Sequence, residues 1–324
     1  MNLAGDFPEA PSVVVPTKAR AADVCRLITS LLGQSLLPRE IIIVDQSATD
    51  EPRRAVEEAW ANRSRDSQPE LVYIHDPAID GSAEARNEGL RRSKSPWVVF
   101  FDDDAVPVND CLLLLGQAFA GHSELLALGG IISNYTAPPT WLRLFRRLFY
   151  RGPFWDERQH VYWNSASYSP GQIIPTGKLN GGCMAFRTQI LTRIGGFDAR
   201  YRGPSVGEDV EISQRLLRLT GSTKTLAMVG GALMSHLSSG AWKARNRRQE
   251  FEIIAAHYSY RKNLPHSTPN VLRFAWMCFG ILLSASASSL RRWSLQPLTS
   301  PLAGIRCVRS GYDGCPFLQS EHSK

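Results

Sequence analysis

Residues 97–104 read Trp-Val-Val-Phe-Phe-Asp-Asp-Asp. Trp97 to Phe101 is an apolar run of strand length, and Asp102, Asp103 and Asp104 follow it with no spacer. A buried strand that ends this way carries negative charge to the edge of a sheet, which is costly unless a cation neutralises it. Mg²⁺ and Mn²⁺ prefer carboxylate oxygens and share their shells with water and phosphates. A divalent metal site is therefore one reading of the run. A strand-end loop with its acids turned to water is the other.

Toward the N-terminus the chain alternates short β-branched runs with amphipathic stretches. Val13–Val15, Ile41–Val44 and Leu71–Ile74 read as strands, and Ala21–Leu32, Pro52–Asn62 and Ala83–Arg92 as helices between them. Repeated strand–helix units predict an α/β fold: a Rossmann-like, mostly parallel sheet flanked by helices, with right-handed crossovers. Ligands of such sheets bind outside the carboxyl ends of the strands. That rule gathers Pro16 and Thr17, Asp45, residues 76–86 and the three aspartates around one crevice.

Toward the C-terminus the pattern is less regular. A helix is expected at Cys111–Ala120 and a strand at Ala127–Ile132, then a long segment through Gly177, rich in Pro, Tyr and Trp, that would cover an acceptor. Gly181-Gly182, an apolar Cys183–Phe186, a helix from Thr188, the turn Gly195–Asp198 and a helix from about Glu208 follow. Phe274–Leu290 is 17 residues without a charge, between Arg273 and Arg291-Arg292. As a helix it would span about 25 Å, slightly less than a bilayer core, and it can cross a membrane, lie in the interface or pack on the domain. Trp141–Arg151 alternates bulky apolar residues with arginines, as an interfacial helix or an ordinary docked one does. The expected organisation is a lead at 1–11, a domain at 12–237 with halves 12–104 and 105–237, a helical segment at 238–270, an apolar helix at 271–292 and a poorly ordered, Ser/Pro/Gly-rich tail at 293–324.

The 324 residues are 43% hydrophobic and 21% charged, an ordinary globular composition. The net charge of +7 suits an anionic partner. A basic nucleic-acid-binding protein is one candidate, although the basic residues are scattered and carry no recognition motif. The six cysteines form no CxxC pair, so neither a zinc site nor a disulfide framework is indicated. Residues 1–10 hold Asp6 and Glu9 and lack an apolar core, unlike a secretory signal, so catalysis is expected to face the cytoplasm.

Asp102-x-Asp104-x-Val106 after an apolar strand matches the signature of haloacid-dehalogenase-like phosphatases, in which the first Asp is the nucleophile. There the motif follows the first strand; here three strand–helix units precede it. A wider set of motifs over residues 12–237 resembles the family-two nucleotide-sugar glycosyltransferases of the A-type (GT-A) fold. It comprises Val13-Val14-Val15-Pro16-Thr17, Glu40 to Asp45 with Ser47 and Asp50, Gly81 with Ala85-Arg86-Asn87-x-Gly89, Phe101 to Asp104, and Gly207-Glu208-Asp209.

The resemblance implies an inverting transfer of sugar from a nucleoside diphosphate, UDP or dTDP, to a glycan or lipid-linked acceptor at the inner face of the plasma membrane, without nucleic acid. It implies Pro16, Thr17, Asp45, Arg86, Asp102 and Asp103 at the donor nucleotide, with Asn87 near base or diphosphate. Asp104 and His236 would hold Mg²⁺ or Mn²⁺, Gly181, Gly182 and Glu208 would meet the acceptor, and Asp209 would be the general base. The basic run Lys243, Arg245, Arg247 and Arg248 could hold a diphosphate or a lipid phosphate.

Overall fold

The structure is a computed structural model, and it describes residues 8–61, 69–203, 205–237, 247–312, 315 and 318. Most of the expected N-terminal lead, and Lys243 and Arg245 of the basic run, lie outside these residues. Strands β1 (Ser12–Thr17), β2 (Glu40–Asp45), β3 (Glu70–His75) and β4 (Trp97–Phe101) alternate with helices α1 (Ala21–Leu32), α2 (Glu51–Ala61) and α3 (Ser82–Arg92). Then come β5 (Ala105–Pro107), α4 (Cys111–Gly121), β6 (Ala127–Ile132), α5 (Thr140–Phe149), α6 (Arg158–Trp163), β7 (Ile173–Pro175), β8 (Cys183–Arg187), α7 (Thr188–Arg193), α8 (Glu208–Thr220) and β9 (Leu226–His236). Three helices close the chain: α9 (Arg248–Asn263), α10 (Thr268–Arg292) and α11 (Gln296–Arg309).

The strands form one sheet in the order β3-β2-β1-β4-β8-β6-β9-β5, with β7 also on β9. β3, β2, β1, β4, β6 and β9 run parallel, and β8 is antiparallel to both neighbours. Alternate strand residues face opposite layers. Val13, Val15, Ile41, Ile43, Val99 and Phe101 pack with α1 and α4, while Val14, Ile42, Val44, Val98 and Phe100 pack with α3 and α8. On α1 the buried residues Val24, Leu27, Ile28 and Leu31 repeat at helical spacing, which is why this stretch covers the sheet as a helix.

Chain order reverses between β1 and β4, and the crevice opens there. The β1–β4 ladder ends at Val14↔Phe100, three residues before β1 itself ends. Thr17 O accepts from Gln46 N next to β2, so Pro16, one residue earlier, turns its ring nitrogen toward β4. With no N–H to donate, Pro16 cannot continue that ladder, and the carboxyl ends of the two strands part.

Two features of the C-terminal part differ from expectation. β9, with a left-handed Gly231 (φ 78°) at an irregularity in its pairing with β6, was not foreseen. The expected poorly ordered tail contains α11. Its Pro297 sits in the first turn, where a missing N–H does no harm. Gly304 brings α11 so close to α9 that a Cβ there would lie 3.0 Å from the Glu250 backbone, and Ser300 Oγ accepts from Glu250 N at 3.0 Å. The small residues read as disorder are the ones close helix packing needs.

α10 is long and apolar enough to cross a membrane, but one face packs on the protein: Met277 and Ile281 cluster with Phe154, Ile253 and Tyr260. Phe149 of α5 lies over Gly280 and stacks on Trp276 at 5.0 Å. The opposite face leaves Leu272, Trp276, Phe279 and Leu283 exposed.

Candidate active site

At the parted strand ends the three aspartates point two ways. Asp103 turns toward β1, where Thr17 Oγ1 donates to it at 2.8 Å and Arg20 Nη1 at 2.8 Å. Asp102 and Asp104 turn to the other side and meet His236. Its Nε2 lies 3.5 Å from Asp102 Oδ2 and 3.2 Å from Asp104 Oδ1. β9 supplies that histidine, because β5 pairs with β9 in the register Ala105↔His236. One ligand atom from each of Asp102, Asp104 and His236 falls within 4.8 Å of the others. Two carboxylate oxygens and one imidazole nitrogen form a donor set that suits a hard divalent ion such as Mn²⁺.

Arginines and a histidine already offset much of the negative charge. Arg20 also approaches Asp104 at 3.4 Å, and Arg86 Nη2 donates to Asp102 Oδ1 at 2.7 Å. Strand-end charge therefore does not by itself demand a metal; the converging geometry of Asp102, Asp104 and His236 is the better reason for one. Burial pushes the Asp103 carboxyl up to about 6, against the pull of Arg20 and Thr17. At Asp102 burial also acts upward, but His236 and Arg86 outweigh it and hold the group below the usual carboxylate range. Burial would lower His236, yet Asp102 and Asp104 raise it.

Arg86 joins this cluster to the head of α8. It is 1% exposed, with Nη1 on Glu208 and Nη2 also on Gly181 O at 3.2 Å. Arg86 was expected at base or diphosphate, with a salt bridge as the other reading; its side chain is enclosed as a tie between Asp102, Glu208 and the Gly181 carbonyl. Burial pushes Glu208 up to about 8, against the pull of Arg86. Asp209, beside it, accepts from Arg158 Nη1 at 2.8 Å. Arg158 also donates to Asp156 at 2.8 Å and to Leu179 O. Its residual attraction to Asp156 and Asp209 raises its pKa despite burial.

The other expected site residues are placed as follows. Thr17 and Asp103 are bound to each other, and Arg20 Nη1 lies between Asp103 and Asp104. Pro16 is buried in β1, where it ends the ladder. Asp45 is buried at the end of β2, its Oδ1 accepting from Ser47 N at 2.9 Å and Ser47 Oγ and its Oδ2 from Tyr73 at 2.7 Å. Asn87 is not at the crevice edge: its amide is clamped on Phe197, donating to O at 2.9 Å and accepting from N at 2.8 Å. Gly181 and Gly182 lie against the acid cluster, where a Cβ on Gly182 would come within 3.3 Å of the His236 ring. Arg20 and Arg158 were missed. Arg20 is the arginine nearest the end of β1, a signal available in the sequence; Arg158, inside the long aromatic segment, offered none.

Asp102 follows the fourth strand in chain order and is tied to Arg86 and His236, a placement unlike the first-strand nucleophile of the phosphatase reading. The model of the family "Glycosyl transferase family 2" matches residues 12–178, and that of "Glycosyl transferase family group 2" matches 97–308. An uncharacterized glycosyltransferase of Haemophilus influenzae is 37% identical over 102 residues, 32% of this chain and 30% of that protein. A pre-mycofactocin glycosyltransferase of Mycobacterium tuberculosis is 27% identical over 224 residues, 65% of this chain and 40% of that protein. The chain thus spans less than half the length of these relatives. In fold it is similar to a mannosyltransferase of Pyrobaculum calidifontis solved with GDP-Man and Mn²⁺, at a TM-score of 0.58 and 17% identity, covering 93% of this chain and 87% of that one. The fold is GT-A, and with more than half of its residues inside the family model, the chain belongs to glycosyl transferase family 2.

Proposed function

We infer that this protein is an inverting glycosyltransferase that moves a sugar from a nucleoside diphosphate to a hydroxyl of a glycan or lipid-linked acceptor. The observation that carries the reading is the convergence on one crevice of Asp102, Asp104 and His236 with the Glu208-Asp209 helix start, joined through Arg86. Asp102, Asp104 and His236 would hold a divalent ion, which when bound neutralises diphosphate charge. Asp209 is the general base. It takes the proton of the acceptor hydroxyl as that oxygen bonds to the anomeric carbon; the bond from that carbon to the diphosphate breaks on the opposite face, and the nucleoside diphosphate leaves with the electron pair. Arg158 fixes the Asp209 carboxylate, and Arg86 keeps Glu208 and Asp102 in register. The exposed apolar residues of α5 and α10 support an acceptor carried at a membrane surface, the inner face of the plasma membrane in this reading.

A thermal-shift panel of UDP, dTDP and GDP and their sugars, with and without Mn²⁺, tests the donor class. Metal-dependent stabilisation by one nucleotide is expected, and indifference to all three would sink the reading. The anomeric configuration of the product, read by NMR, tests inversion.

A further inference from the structure

Outside the crevice, an open cavity of about 520 Å³ lies where α5 meets α10, lined by Arg147, Tyr150, Arg151, Gly152, Trp155 and Arg273. Three guanidiniums share one cavity, and among the described residues none of them forms an ion pair with a carboxylate. Arg151 Nε donates to Leu148 O at 3.0 Å and Arg273 Nη1 to Asn270 Oδ1 at 3.0 Å, which fixes both side chains and leaves further N–H groups available. Gly152, at φ 58°, makes the turn and gives Arg273 room: a Cβ there would lie 3.1 Å from Arg273 Cδ. Clustered guanidiniums bind phosphate oxygens through paired N–H donors.

The cavity sits beside an apolar surface. Trp141, Leu144 and Leu148 of α5 and Leu272, Trp276 and Phe279 of α10 are all exposed, Trp141 to 68%. The two helices present one surface, because Phe149 stacks on Trp276 and Trp276 Nε1 donates to Leu148 O at 2.9 Å. Exposed Trp, Phe and Leu next to clustered arginines match the boundary between acyl chains and anionic headgroups. From the cavity wall, Trp155 leads directly to Asp156, which holds Arg158 on Asp209. We propose that this cavity binds the anionic phosphate head of a membrane lipid and seats the α5–α10 surface on the bilayer. Lipid binding is read without donor, so its failure and a failure of the transfer reading are distinguishable.

The test is flotation of the full chain with vesicles of phosphatidylcholine alone or with phosphatidylglycerol added. Binding should require phosphatidylglycerol and fall at least tenfold when Arg147, Arg151 and Arg273 are all changed to Gln. Removing the same charge outside the cavity, at Arg143, Arg291 and Arg292, should lower it by no more than about threefold. Equal losses in the two triple variants would show diffuse charge and overturn the cavity. Binding to phosphatidylcholine alone at the same strength would overturn it too, as would displacement by low-millimolar inorganic phosphate, which marks a free-anion site. Should the cavity variant melt early, Arg147→Gln alone, on the exposed side of α5, carries the same comparison. A loss of at least threefold is then expected, and no loss overturns the proposal.

Discussion

Arg158 Nη1 donates to Asp209 Oδ2 at 2.8 Å, tying the start of α8 to a helix drawn from the long aromatic segment. The carboxylate offered as base therefore has one oxygen fixed by a cation, and both Asp156 and the Leu179 carbonyl hold that cation in place. Asp209→Asn keeps the shape and the arginine contact but removes the proton acceptor. We expect kcat to fall by about 10³-fold or more, with nucleotide affinity changed by less than about twofold. Arg158→Gln should lower kcat while leaving nucleotide binding intact. Comparable turnover in Asp209→Asn and the wild type would remove this residue from the chemistry.

Asp102, Asp104 and His236 offer one converging ligand set. Loss of a partner behind a metal ligand costs about 10–100-fold in affinity, and loss of a ligand should cost at least that. Asp104→Asn and His236→Ala are therefore expected to weaken Mn²⁺ binding, followed by calorimetry, by about tenfold or more. EDTA should abolish any thermal stabilisation by nucleotide in the wild type. Unchanged Mn²⁺ affinity in both variants would place the ion elsewhere.

Arg86 lies between two carboxylates, Asp102 and Glu208, with room in its charge balance for only one of them. Burial raises Glu208 from 4.5 to about 8, so between these values the folded chain binds a proton that the unfolded chain has released. The native protein then holds more protons than the unfolded one, and stability falls as pH climbs from about 4.5 to 8. Glu208→Gln mimics the protonated acid and removes this dependence. Melting points of wild type and variant should be close near pH 4, below both values, and the variant should gain progressively up to about pH 8, by an amount on the order of 4 kcal/mol. Parallel melting curves across that range would show Glu208 already ionised.

Most of the sheet was legible because β1 to β4 are β-branched or aromatic runs separated by helices with regular apolar spacing, as Val24, Leu27, Ile28 and Leu31 illustrate. β9 was not, since Gly230-Gly231 interrupts a run of Ala, Met and Leu that has little β-branched character. α11 was hidden by Ser, Pro and Gly, whose value at the α9 contact exists only once the partner helix is known. Glu208, at a helix start, was indicated only by the family resemblance, whereas the meeting of Asp102, Asp104 and Arg86 followed from the strand-end rule. The partners that tune them did not, because Arg20 lies 83 residues from Asp103 and Arg158 lies 51 from Asp209. Direction was also illegible: the turn closed by Ala105 N donating to Asp102 O at 3.0 Å sends the middle acid toward Thr17, and Arg86 is buried as a tie between Asp102 and Glu208.

Gly89 makes a close contact between α3 and the sheet. A Cβ there would lie 2.2 Å from Val14 Cγ1, 3.0 Å from Cγ2 and 3.2 Å from Cβ. Val14 is fully buried in β1 between β2 and β4, and its branched side chain has little freedom to turn aside. Gly89→Ala gains about 1 kcal/mol of helix propensity, whereas overpacking a core contact costs about 1–3 kcal/mol. With two valine methyls inside contact distance the second effect should win, and the melting temperature should drop by several degrees. Arg86 is one turn earlier on the same helix, so a shift of α3 should also loosen its hold on Asp102 and Glu208 and lower activity. Adding Val14→Ala makes room for the new methyl, and the double variant should recover part of the stability that the two single changes would lose if they added independently. A Gly89→Ala protein melting at or above the wild type would show that α3 does not depend on this close approach.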